Sequence, residues 1–143
     1  MLPSFRTLVA ILVAISGLAA CDSLRGGWYG VKDIDTTIVP ERLNQDQRDF
    51  FETIDVVAQQ RGMRPVRCAA GVAEKKTCRS YETAKGLFLV GFLDQKANQY
   101  VISVYEWNVS NRSPLALDIE AAVLAKLRAR FAERVVTLHR DGV

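Results

Sequence analysis

Little in this sequence equips it for chemistry. It holds one histidine, His139, close to the C-terminus. Nucleophilic catalysis needs a base held firmly beside a serine or cysteine, and a chain end is a poor place to fix that geometry. There is no glycine-rich loop followed by lysine and serine to cradle a phosphate, because Gly26, Gly27 and Gly30 stand around Trp28 and Tyr29 instead. Asp and Glu are spread evenly, so no carboxylate pair stands out for acid-base work, and no cofactor motif is present. Charge of one sign is also missing. Nineteen Lys and Arg against sixteen Asp and Glu leave a net charge of +3, with both signs interspersed. A nucleic-acid binder would show a basic stripe, so DNA and RNA are excluded as partners. Internal repeats and low-complexity tracts are absent too, and the two formal sequons at Asn108 and Asn111 read as turn residues.

What is present begins with an address. The 143 residues suit a single domain. Residues 1–7 carry one charge, Arg6, and Leu8 to Ala20 then form an apolar run ending in small side chains. As a helix that run is roughly 20 Å long, against the 30 Å or so of a hydrocarbon core, so it reads as a secretory signal over residues 1–20, cleaved after export. It ends in Leu18-Ala19-Ala20-Cys21, which resembles the lipobox of bacterial lipoproteins in all four positions. The resemblance implies cleavage before Cys21 and a diacylglyceryl thioether on its sulfur. Two or three acyl chains, at about 0.8 kcal/mol per buried methylene, then hold the protein on its membrane. Loss of Arg6 with the leader brings the net charge to about +2. The expected location is the bacterial cell envelope, facing the periplasm. Asp22 is similar to the inner-membrane retention signal of enteric lipoproteins and leans the assignment that way.

With Cys21 assigned to lipid, Cys68 and Cys78 remain as an even pair, and an oxidising compartment favours a disulfide between them. Closing that loop is worth about 2.5 to 3 kcal/mol in the chain-entropy model. Their spacing fits neither a zinc site nor a redox pair, so no metal is expected. Residues 21–40, rich in glycine and polar side chains, read as the lipidated N-terminus and a flexible tether, holding the domain roughly 25 Å from the bilayer, with a short edge strand over Thr36 to Val39. Trp28 and Tyr29 either sit in the headgroup layer or dock on the domain.

The domain itself spans 41–143. Asn44 caps a helix with Gln47 reaching back, and Phe50, Phe51, Ile54, Val57 and Ala58 recur at helical spacing until Gly62. The opposite face, with Asp46, Asp49, Glu52 and Asp55, reads as solvated. Met63 to Ala69 is a short strand, and Ala70 to Thr77 a polar loop. Leu87 to Leu93, apolar at every position but Gly91, is a central strand, and Asp94 to Asn98 turns the chain into a second strand, Tyr100 to Trp107. Ser113 and Pro114 start a final helix with a stripe from Leu115 through Ile119, Val123 and Leu127 to Phe131. Its basic residues Lys126, Arg128 and Arg130, with Arg134 just beyond, suit a helix dipole better than a phosphate site. Val135 to Leu138 is a last short strand. The fold class is α+β, with an antiparallel or mixed sheet of about four strands and both helices on one face.

These features point to a non-catalytic binding or accessory domain that holds a protein partner of the envelope. The candidate partner surface is the aromatic set Trp28, Tyr29, Tyr100, Tyr105 and Trp107. The alternative is a periplasmic inhibitor or immunity protein acting against a toxin or hydrolase through the loop between Cys68 and Cys78. A carrier of lipid or cell-wall ligands is a third class, and no residue pattern requires it.

Overall fold

The computed structural model describes residues 24–39, 42–68, 77–94 and 96–141. The leader, Cys21, Asp22 and nearly all of the loop between Cys68 and Cys78 lie outside these residues. In chain order the elements are β1 (Arg25–Val31), α1 (Gln45–Gln60), β2 (Arg64–Pro65), β3 (Cys78–Glu82), β4 (Leu87–Asp94), β5 (Gln99–Glu106), α2 (Pro114–Phe131), a 3-10 turn (Ala132–Arg134) and β6 (Val135–Arg140). The strands form one sheet in the order β2-β3-β4-β5-β1-β6, and every neighbouring pair is antiparallel.

Both helices start where the sequence places their caps. The Asn44 side chain accepts from the Gln47 N–H at 2.8 Å, and the Asn44 N–H donates to the Gln47 side chain at 2.9 Å. The buried Gln47 amide then donates to the carbonyls of Asp35 and Thr37, tying the segment after β1 to the helix. At the other end Gly62 turns the chain with φ +63°, a conformation that L side chains rarely adopt. The Ser113 hydroxyl accepts from the Ala116 N–H ahead of α2, with Pro114 at the first helical position.

The sheet register sorts its residues onto two faces. Tyr29, Val31, Leu87, Leu89, Leu93, Tyr100, Ile102 and Val104 point to one side, where α1 contributes Phe50, Phe51, Ile54 and Val57 and α2 contributes Ile119, Val123, Leu127 and Phe131. Gly91 belongs to this face. Any side chain there would overlap Ile54, so the glycine lets α1 lie directly on β4. Both helices therefore cover one face. Trp28, Phe88, Val90, Phe92, Ser103 and Tyr105 lie on the other, across which no described element packs.

The architecture is α+β, with six strands where about four were expected. One addition is β1, inside the segment read as a tether. Its three glycines look like coil, yet Arg25–Val31 pairs with β5 along one edge and β6 along the other, so the domain begins by residue 25 at the latest. The other is β3, too short and polar to stand out. In contrast, Thr36 to Val39 forms no strand, only a bridge between Val39 and Arg42, and the described part of the expected strand Met63 to Ala69, residues 63–68, contributes just the two residues of β2. The disulfide between Cys68 and Cys78 is present, with Cα atoms 6.4 Å apart. No described helix is long and apolar enough to cross a membrane.

Candidate functional site

The open face of the sheet carries a row of rings that crosses four strands. Phe88 on β4 and Tyr105 on β5 are directly paired and stacked, with centroids 5.1 Å apart and planes 12° from parallel. Trp28 on β1 continues the stack at 6.3 Å and 9°, and His139 on β6, paired with Trp28, lies 5.5 Å beyond it. Trp107 stands edge-on to Tyr105 at 6.4 Å and is 50% exposed. Small residues opposite the large ones make the row fit. Gly26 faces Tyr105, and Ser103 faces Trp28. Below the rings a concavity of about 350 Å³ is lined by Leu24, Trp28, Cys78, Phe92, Tyr105 and Trp107, among others. Burial among these neighbours raises the pKa of Tyr105.

Of the five aromatic residues expected on a partner surface, the structure brings together Trp28, Tyr105 and Trp107. Tyr29 and Tyr100 are corrections. They are 2% and 0% exposed, because a strand sends neighbouring residues to opposite faces, and both pack beneath the helices. Burial pushes Tyr100 up to about 12. Phe88, Phe92 and His139 were missed as members of the face. The all-apolar run of β4 did signal burial on two sides, but among the described residues only one side received helices.

His139 is not at a fraying end. It sits in β6, and its Nε2 lies 2.9 Å from Asp141, whose carboxylate also accepts from the Gly26 N–H at 2.7 Å. Burial pushes the Asp141 pKa up, but the Gly26 N–H and the histidine outweigh it and hold the carboxyl below its ordinary value. The neighbour of this pair is Trp28. Ser103, the hydroxyl nearest in register, is two strands away, about 10 Å by strand spacing and beyond proton-transfer reach.

Five of the remaining charged candidates are engaged in ion pairs. Asp46 pairs with Arg134, Asp49 with Arg130, and Asp55 accepts from the Tyr81 hydroxyl at 2.6 Å with Arg79 at 3.6 Å. Arg134 also donates to the carbonyls of Lys32 and Asp33. Two of the four basic residues near the end of α2, Arg130 and Arg134, are thus held within the fold, and a cleft of about 360 Å³ between the helices is lined by Glu52, Lys126 and the Asp49–Arg130 pair, among others. Among the described residues, no three His, Cys, Asp or Glu side chains gather as a metal ion would require.

What the open face offers, among the described residues, is apolar contact area with few hydrogen-bonding groups. Compared with known proteins, the chain matches no family model and no curated sequence.

Proposed function

We propose that this is a bacterial envelope lipoprotein, anchored through lipid on Cys21 and facing the periplasm, whose domain holds a protein partner without catalysing a reaction. The observation that supports it is the aromatic row of Phe88, Tyr105 and Trp28 with half-exposed Trp107 at its end, on a face that no element among the described residues covers. A sheet with one face solvated normally alternates apolar-in and polar-out, whereas here both faces are apolar and, among the described residues, helices cover only one. Tyrosine and tryptophan are the residues that interfaces favour.

Trp107 tests this cleanly because it is half exposed and touches the row by its edge alone. Trp107→Ala is expected to leave the melting temperature within about 2 °C of the parent, as surface substitutions do, while partner recovery after crosslinking in cells falls by about tenfold or more. A large loss of stability with partner recovery unchanged counts against the reading.

The inhibitor reading keeps one observation in its favour: the disulfide ties Cys68 to Cys78, which lines the concavity. Deleting residues 70–77 should abolish binding under that reading and leave it intact under the first.

A further inference from the structure

The open face and the lipid anchor are close neighbours along the chain. Cys21 precedes Leu24 by three residues, and three residues span at most about 11 Å. Leu24 lines the concavity beside Trp28 and Trp107. If Cys21 carries lipid, as proposed above, one end of the docking face lies at the headgroup layer. β1 then runs away from that end, and β5 arrives at it.

The concavity extends from Leu24 and Trp107 to Phe92 and Cys78. Phe92 is in register with Val101, six residues up the chain from Trp107, or about 20 Å. Lipid can reach the lower end of such a groove. Were the whole face laid flat on an anionic bilayer, cations on it would strengthen the contact and acids would oppose it. Among the described residues its charged strand side chains are Glu82, Asp94 and Arg64, two acids and a base, and Arg64 is ion-paired with Glu82. The upper groove therefore calls for a protein occupant rather than lipid.

We infer that the groove takes an extended, apolar, membrane-proximal segment of an integral membrane protein, which leaves the bilayer beside Leu24 and Trp107 and runs along the strands towards Cys78. This rests on the lipoprotein reading and names the partner class for the same face. The segment would set its apolar side chains against Phe92, Val90 and the Tyr105 and Trp28 rings.

The test uses the full-length protein in its host, with photoreactive benzoylphenylalanine at position 92 or, separately, at position 107, where half exposure tolerates the change. Labelling with a clickable fatty acid on Cys21 runs in parallel. The expected result is that both positions crosslink to one integral membrane protein, within about ten residues of the end of a membrane-spanning segment. A fifteen-residue Gly/Ser spacer inserted between Ser23 and Leu24 should cut that yield about fivefold, because effective concentration falls as a tether lengthens. Crosslinks to a soluble periplasmic protein, to lipid alone, or to nothing overturn the inference, as does a yield that ignores the spacer. Absence of the fatty-acid label overturns the anchor reading and this inference together. A label present with any of the contrary crosslinks overturns this inference alone.

Discussion

Glu120, on the buried side of α2, touches two arginines: Arg112, whose side chain is fully buried, and Arg140 of β6, whose guanidinium lies 2.9 Å from the Glu120 carboxylate. Gly27 and the Tyr29 ring pack against the same carboxylate, and burial followed by that carboxylate raises the Tyr29 pKa. A buried ion pair is costly to break from one side, since the remaining charge stays desolvated. Arg112→Met is thus expected to destabilise the domain by about 3 kcal/mol, read as a lowered denaturant midpoint, and the double variant with Glu120→Gln should recover part of the loss. Nothing local announces this cluster. Its members come from a loop, a helix and two strands, and only the folded sheet assembles them. The aromatic residues were more legible. Trp28 and Tyr29 are adjacent, and Tyr100 and Tyr105 are five apart, so in strands each pair must divide between the two faces. That rule sorts all four once Arg25–Val31 is known to be a strand.

Among the elements, α1 and α2 were readable because helix signals are local: a cap, a stop and a stripe at period 3.6. β4 and β5 were readable from length and β-branched and aromatic content. β1 and β3 were not, because a strand is stabilised by partners far away in the chain. Arg25–Val31 with three glycines has weak intrinsic preference for a strand, yet β5 and β6 pair with it on both sides. The disulfide holds the start of β3 to the chain just after β2, at a separation of ten residues. Reducing it should cost about 2.7 kcal/mol by the chain-entropy relation, seen as a lower midpoint in denaturant with reductant. A Cys68→Ala, Cys78→Ala variant should match the reduced protein and lose its response to reductant.

For the molecule as a whole, alkaline pH is the condition to which the core should respond. Burial, followed by the hydrogen bond to Asp55, pushes Tyr81 up to about 12, and burial does the same to Tyr100. The ordinary tyrosine value is 10.0. The folded state therefore keeps these protons where the unfolded state releases them, so their contribution is complete below pH 10 and is lost as pH rises towards 12. Unfolding midpoints should be flat from neutral pH to about 9.5 and fall steeply above it. Tyr81→Phe should make that fall shallower, and a slope unchanged by the substitution would count against its raised pKa.

The place of β1 in the sheet also governs when the chain is able to fold. The Gly26 N–H bonds to Asp141 across 115 residues, and β1 lies between β5 and β6. A polypeptide emerging amino end first, from a ribosome or a secretion pore, exposes β1 long before either partner exists. Pairing over such separations is slow because loop closure precedes any reward. The sheet is therefore left open until β6 has appeared, and a chain in transit stays threadable until then.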